Sequence, residues 1–365
     1  MSICSWPILT SWHIIKYFFF FSRSLCLVYS LQVILSLPIP LKKAHSRLKN
    51  ITFMVAKSIL SILSHVVHGY VGNKAIAFPL QFLGWNVDTV NTTSFSNHPG
   101  YGSFMGESAS AELIDKLMKG LQNIVDFKKE YELVLTGYIP NDVMFERVFA
   151  ALKEMYSSEP PRKASGDITK PVWVLDPVMG DNGKLYMLEK VVPIYKTVLS
   201  SGLVMLTTPN QFEMELLSGV EIKDWNSLKY SLHQFYQLYK VPYVVLTSVS
   251  IASEAYSVAS IHTGDKNEHM CIPLNLIDCK FSGSGDIFTA LLAHAFYENG
   301  YSIKAEMLCD VLGKLEKILD FSLEDEKKRK ETQDINYVKD LRVVSGRNIF
   351  IEDYLNHLID KIFYI

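Results

Sequence analysis

The strongest constraint on the fold of this chain is an alternation that begins after Lys57. Short apolar, β-rich runs at 58–63, 87–91, 131–136, 172–175, 203–206 and 243–247 are separated, for the most part, by longer stretches with helical spacing. Strands that alternate with helices need right-handed crossovers, and these give a largely parallel sheet covered on both faces. Ligands of such sheets collect beyond the carboxyl ends of the strands. The polar residues that follow the runs fall at that edge: Ser64 and His65, Gly137 and Tyr138, Asp176, Asn210, then Thr247 and Ser248. Two further runs, 255–262 and 270–274, flank Thr263, Gly264, Asp265, Lys266 and Asn267 and predict a hairpin. Beyond Tyr301 the pattern is helical, and the charged run 324–331 reads as a solvated helix face or a connecting loop.

The first 53 residues are a different kind of polypeptide. They carry six basic residues and no acidic one, whereas the remainder carries 30 basic against 38 acidic, giving the chain a net charge of −2. No global basic field is present to hold nucleic acid. Residues 14–41 are strongly apolar, but Arg23 interrupts them and Pro38 and Pro40 close them, and the stretch 24–37 between Arg23 and Pro38 is shorter than the roughly 18 residues of a membrane span. A signal anchor with a basic flank at 42–49, an organelle-targeting leader and a dispensable extension remain alternatives. Met54, just ahead of the first strand, favours the last and sets the expected division: an extension over 1–53 and a catalytic domain over 54–365. The five cysteines are scattered, without Cys-x-x-Cys or zinc spacing, and are expected to be buried, inert thiols in a reducing compartment.

Three motifs carry chemistry. In Gly283-Ser284-Gly285-Asp286 the glycines let backbone approach a phosphate, and the helix that follows aims free N–H groups and a positive dipole end at it. Asp286, beside that anion hole, is placed to take a proton from an attacking hydroxyl, although an Asp at an ordinary helix start reads the same way. Asp176-Pro177-Val178-Met179-Gly180-Asp181 sets two carboxylates at a strand end, which suits a hard cation such as Mg²⁺. Thr208-Pro209-Asn210-Gln211-Phe212-Glu213 opens a helix, where Glu213 either reaches the same cation through water or complements the helix dipole. Together these motifs indicate a nucleotide-phosphate site. Neither Gly-x-x-x-x-Gly-Lys-Ser/Thr nor a Gly-x-Gly-x-x-Gly fingerprint opening a helix after a strand occurs, which disfavours P-loop and dinucleotide folds.

These motifs, with Ser64-His65-Val66-Val67-His68-Gly69-Tyr70-Val71-Gly72-Asn73, Phe95-Ser96-Asn97-His98-Pro99-Gly100-Tyr101 and Thr136-Gly137-Tyr138, resemble the pyridoxal kinases of the ribokinase-like superfamily, in order from about Lys57 into the last helices. The resemblance implies a three-layer α/β/α fold with a largely parallel central sheet. It also implies ATP-dependent phosphorylation of the 5′-hydroxymethyl group of pyridoxal, pyridoxine or pyridoxamine. Asp286 matches the base, and Ser64, Pro99 and Tyr138 fall at the substrate. Asp176, Tyr186, Asn210, Thr247, Ser248, Gly283, Ser284 and Gly285 match ATP and phosphate contacts. Asp176, Asp181 and Glu213 match an acidic Mg²⁺ cluster, and Thr208 and Thr247 a monovalent-cation site for K⁺ or Na⁺.

There are departures from the family. Pro99 stands where animal members carry a threonine whose hydroxyl touches substrate, Ser284 replaces a threonine of many relatives, and the hairpin at 263–268 is short beside the basic flap of animal members. Neither His65 nor His68 is expected to have a catalytic proton role, both reading as strand-end histidines, while Tyr70 and Tyr101 are either pocket lining or packing. The resemblance further implies a homodimer and a cytoplasmic, or additionally nuclear, location, with membrane or organelle targeting left to residues 1–53. Two alternatives stand beside this reading: another ribokinase-like kinase acting on hydroxymethylpyrimidine or a sugar, and a membrane-anchored, non-catalytic vitamin B6-binding protein.

Overall fold

Nine strands form the central sheet. In chain order they are β1 (Lys57–Leu63), β2 (Trp85–Asn91), β3 (Leu133–Thr136), β4 (Val172–Leu175), β5 (Val204–Thr207), β6 (Tyr243–Ile251), β7 (Glu254–Thr263), β8 (Lys266–Leu274) and β9 (Phe363–Tyr364). A computed structural model describes residues 57–156, 168, 170–181, 183–186, 189–263, 266–354 and 358–365. The 1–53 extension, Met54 and the hairpin residues Gly264 and Asp265 lie outside the described residues. The spatial order is β9-β8-β7-β6-β5-β4-β3-β1-β2. Pairing is parallel from β2 through β6 and antiparallel from β6 through β9.

Alternation along the strands sorts the core into two layers. Leu60, Ile62, Val134, Trp173 and Leu175 face helices α2 (Ala111–Ile124), α3 (Asp142–Tyr156), α4 (Val192–Leu199), α5 (Gln211–Ser218) and α6 (Trp225–Tyr239). Their neighbours Ile59, Leu63, Leu133, Leu135, Val172 and Val174 face α1 (Asn73–Phe82), α7 (Ser284–Glu298) and α8 (Ala305–Lys330). Side chains of successive strand residues point to opposite faces, so a strand buried on both sides must be apolar at nearly every position. β3 and β4 have no exposed residue for that reason.

The six predicted parallel-region strands appear within two residues of their expected starts. The last one differs at its far end. β6 runs on to Ile251 and becomes the first arm of an antiparallel meander, with a register shift between Leu246 and Val249. Thr247 and Ser248 therefore sit at an irregularity inside a strand rather than at a strand terminus, and such bulges re-aim side chains. The hairpin is also tighter than predicted, since β7 reaches Thr263 and β8 begins at Lys266. Beyond Tyr301, among the described residues, only α8 is a long helix. Residues after Glu331 form a short strand, brief 3-10 turns and β9 instead of continuing as helix. The charged run lies on α8, where Arg342 pairs with Asp325 and Glu326 at 2.5 Å each. Cys271, Cys279 and Cys309 are free, and burial pushes the Cys271 and Cys309 thiols up to about 12 and about 11. Among the described residues no helix is long and apolar enough to cross a membrane.

Candidate active site

A cleft of about 730 Å³ opens at the carboxyl edge of the parallel strands. Every residue singled out from the sequence as a site candidate borders it: Ser64, Pro99, Tyr138, Asp176, Asp181, Tyr186, Thr208, Asn210, Glu213, Thr247, Ser248, Gly283, Ser284, Gly285 and Asp286. They come from distant parts of the chain because each follows a different strand of one sheet.

The floor of the cleft is the turn into α7. Gly283 caps the helix with φ +86°, and a Cβ there would overlap the Tyr70 carbonyl oxygen, so both conformation and space require glycine. No side chain among the described residues caps this helix start. Its first N–H groups are left for a ligand, and the dipole makes that ligand an anion. Asp286 Oδ2 accepts the Gly72 N–H at 2.8 Å. Gly72, at φ +55°, packs so closely on Ser64 that a Cβ would overlap the serine carbonyl oxygen. One glycine thus joins the residue at the end of β1 to the proposed base. Burial pushes the Asp286 carboxyl up to about 6, and the Gly72 N–H opposes the rise. A base with that value is mostly ionised at neutral pH yet still able to hold a proton.

The adjoining wall is acidic. Asp176 is 6% exposed and accepts a hydrogen bond from Thr289 Oγ1 at 3.1 Å, and Thr289 shares a second one, of 3.2 Å, with Thr208. Burial, with Glu213 and Asp286 nearby, holds the Asp176 carboxyl well above the usual carboxylate range. Glu213 forms a capping box with Asn210, and its oxygens accept the N–H groups of Asn210 at 2.9 Å and Met179 at 2.8 Å. Burial nevertheless pushes it up to about 8. With both oxygens engaged by backbone, Glu213 locks the Met179–Gly180 turn to α5 and contributes charge from behind. Asn210 adds to this lock by donating to the Gly180 carbonyl at 2.8 Å. Asp181 is exposed on the two-residue strand pair that Gly180 opens, and Tyr186 lies beside it with its hydroxyl pushed up to about 12 by burial and by Asp181 and Glu213.

Thr247 borders the cleft and donates its N–H to the Pro209 carbonyl at 3.0 Å, tying the β6 irregularity to the α5 loop. At the other end, Thr92 Oγ1 donates to the Tyr138 carbonyl at 2.8 Å, and burial raises the Tyr138 hydroxyl. Asn73, buried at the start of α1, donates to the Leu63 and Val90 carbonyls at 3.2 and 3.1 Å and fixes the end of β1 beneath Ser64.

His65, His68, Tyr70 and Tyr101 do not border the cleft. His68 is exposed, 3.6 Å from Asp340, and Tyr101 donates its hydroxyl to Asp340. Several bordering residues escaped the sequence reading, among them Gly72, His98, Leu274, Leu315, Leu319 and Tyr337. Gly72 and His98 lie inside motifs already singled out and Leu274 ends a predicted strand run, whereas Leu315, Leu319 and Tyr337 come from segments with no local signature.

Among the described residues that border the cleft, four are carboxylates and none is lysine or arginine. Among the described residues no group of three His, Cys, Asp or Glu is close enough to hold a metal unaided. Such a set suits a cation that keeps waters and shares itself with phosphate oxygens, as Mg²⁺ does.

A mostly parallel sheet, a glycine turn at a helix start and a carboxylate facing an acidic wall define an ATP-dependent kinase of the ribokinase-like class. Residues 163–306, which hold Asp176, Glu213 and Asp286, match the family model described as phosphomethylpyrimidine kinase. The Saccharomyces cerevisiae relative BUD17 is 36% identical over 83% of this chain and 96% of its own. Arabidopsis thaliana pyridoxal kinase is 38% identical over 64% of this chain and 72% of its own. The structure of Leishmania donovani pyridoxal kinase with ADP and ginkgotoxin superposes with a TM-score of 0.70 at 33% identity, covering 81% of this chain and 96% of that one. The chain belongs to the pyridoxal kinase family.

Proposed function

We propose that this enzyme transfers the γ-phosphoryl group of ATP to the 5′-hydroxymethyl oxygen of pyridoxal, pyridoxine and pyridoxamine. The Leishmania donovani relative binds ADP together with pyridoxamine or pyridoxine, which supports both halves of the reading. The observation that carries it in this chain is that Asp286 is joined through Gly72 to Ser64 and shares one cleft with the α7 start, Pro99 and Tyr138.

The hydroxyl oxygen attacks the γ-phosphorus, the bond to the β–γ bridging oxygen breaks, and ADP leaves. Asp286 takes the hydroxyl proton. The N–H groups of Gly283, Ser284 and Gly285 receive the charge that spreads over the transferred phosphoryl oxygens. Asp176 and Asp181 would hold Mg²⁺, with Glu213 behind them. When bound, the ion supplies charge neutralisation to the polyphosphate. Thr208 and Thr247 would face a monovalent cation, K⁺ or Na⁺, and a homodimer is the expected assembly.

The phosphomethylpyrimidine kinase match favours a second reading, with hydroxymethylpyrimidine as acceptor. ATP consumption by the purified protein with pyridoxal, hydroxymethylpyrimidine or ribose, with Mg²⁺ and K⁺ present, separates them. Turnover of pyridoxal well above the other two is expected. Turnover confined to hydroxymethylpyrimidine or ribose would replace the reading.

A further inference from the structure

The segment 336–342 has no motif and belongs to none of the site elements, yet it touches both ends of the cleft. Tyr337 and Val338 pair in parallel with Lys280 and Phe281, the residues that lead into the phosphate turn. Lys280 N–H donates to the Asn336 carbonyl at 2.9 Å and Ser282 N–H to the Val338 carbonyl at 3.3 Å. The hydroxyls of Ser282 and Tyr337 share a hydrogen bond of 2.7 Å, and both residues border the cleft.

On its other side the same hydroxyl lies against Gly100, where a Cβ would overlap it. Gly100 adjoins Pro99 at the acceptor end. The loop around them is pinned to the same segment, since the His98 ring is 2.8 Å from the Lys339 carbonyl through Nε2 and Tyr101 donates to Asp340. Arg342 anchors the segment to α8, pairing with Asp325 and Glu326 while its N–H donates to Ser322 Oγ at 2.9 Å.

We infer that Tyr337 is a positioning residue for phosphoryl transfer. Its hydroxyl sets the distance between the acceptor loop at Pro99–Gly100 and the phosphate turn at Ser282–Gly283. This inference rests on the B6 kinase reading. Transfer rates depend steeply on the separation of the reacting atoms, so a brace between the two half-sites acts on turnover and on acceptor affinity. ATP affinity is set elsewhere, by the helix start and the acidic wall.

The test is a double-mutant cycle with Tyr337→Phe, which keeps the ring, and Ser282→Ala, which removes the other hydroxyl. Each single variant is expected to lower kcat/KM for pyridoxal by about tenfold, the upper range for loss of one hydrogen bond. KM for ATP should stay within about twofold and the melting temperature should be held, as the bond is only part-buried and each substitution keeps the rest of its side chain. The double variant should be no worse than the poorer single one. Additive losses, a parallel rise in KM for ATP, a fall in melting temperature that tracks the loss of activity, or unchanged kinetics would each overturn the assignment. Failure of the parent protein to phosphorylate pyridoxal would overturn the B6 kinase reading itself, which distinguishes the two results.

Discussion

Asp286 carries the chemistry on which the functional reading most depends, and its environment makes a quantitative demand. Its carboxyl lies at about 6 because burial outweighs the single Gly72 N–H. A base must be ionised to accept a proton, so protonation on the acid side removes activity. We expect kcat/KM for pyridoxal to fall about tenfold per pH unit below pH 6 and to level off above it. Asp286→Asn should reduce kcat by about 10²-fold or more while ATP still binds, checked by steady-state assay and nucleotide titration. Near-normal turnover in that variant would remove Asp286 as the base. At this scale the motifs were informative because each is a cluster of polar residues at a strand end. Tyr337 was not legible, since a lone tyrosine in a segment without periodicity acquires meaning only when the fold sets it against Ser282 and Gly100.

The two glycines of the phosphate turn separate conformational need from ligand space. Gly283 has φ +86° and no room for a Cβ, whereas a Cβ at Gly285 would meet nothing within 4 Å. Gly283→Ala should therefore lower both the melting temperature and kcat, with a backbone cost of about 1–3 kcal/mol for a side chain held at such a φ. Gly285→Ala should leave the melting temperature in place and raise KM for ATP, because its methyl group enters the space where phosphate binds. Thermal melts and steady-state kinetics on the pair check this, and equal effects of the two changes would contradict it. Strands β1, β3, β4 and β5 were legible because burial on both faces imposes largely apolar runs. The pairs at Thr93–Phe95 with Gly106–Ser108 and at Gly180–Asp181 with Lys184–Leu185 were not, since two or three residues establish no period. The stretch after Glu331 was misread as helix, because its apolar residues pack singly under α8 as Val338, Leu341, Val343 and Phe350 rather than along one face.

Across the whole molecule, the buried acids of the cleft oppose folding. Glu213 rises to about 8 on folding, and Asp176 is raised with it. A carboxyl raised in this way binds more protons in the folded chain than in the unfolded one, so its contribution to stability declines as pH climbs from the usual carboxylate range to about 8. The melting temperature of the ligand-free protein should fall between about pH 6.5 and pH 8, and Mg²⁺ with ATP should remove most of that fall. A flat profile, or one unchanged by the pair of ligands, would contradict the electrostatic account. The absence of lysine and arginine from the described border of the cleft has a further consequence. A polyanion and its counter-cation each find a repellent or incomplete seat alone, so their affinities for this protein are linked. By thermodynamic reciprocity, whatever factor the cation adds to nucleotide binding, the nucleotide adds to cation binding, and the enzyme responds to the product of two concentrations rather than to either one.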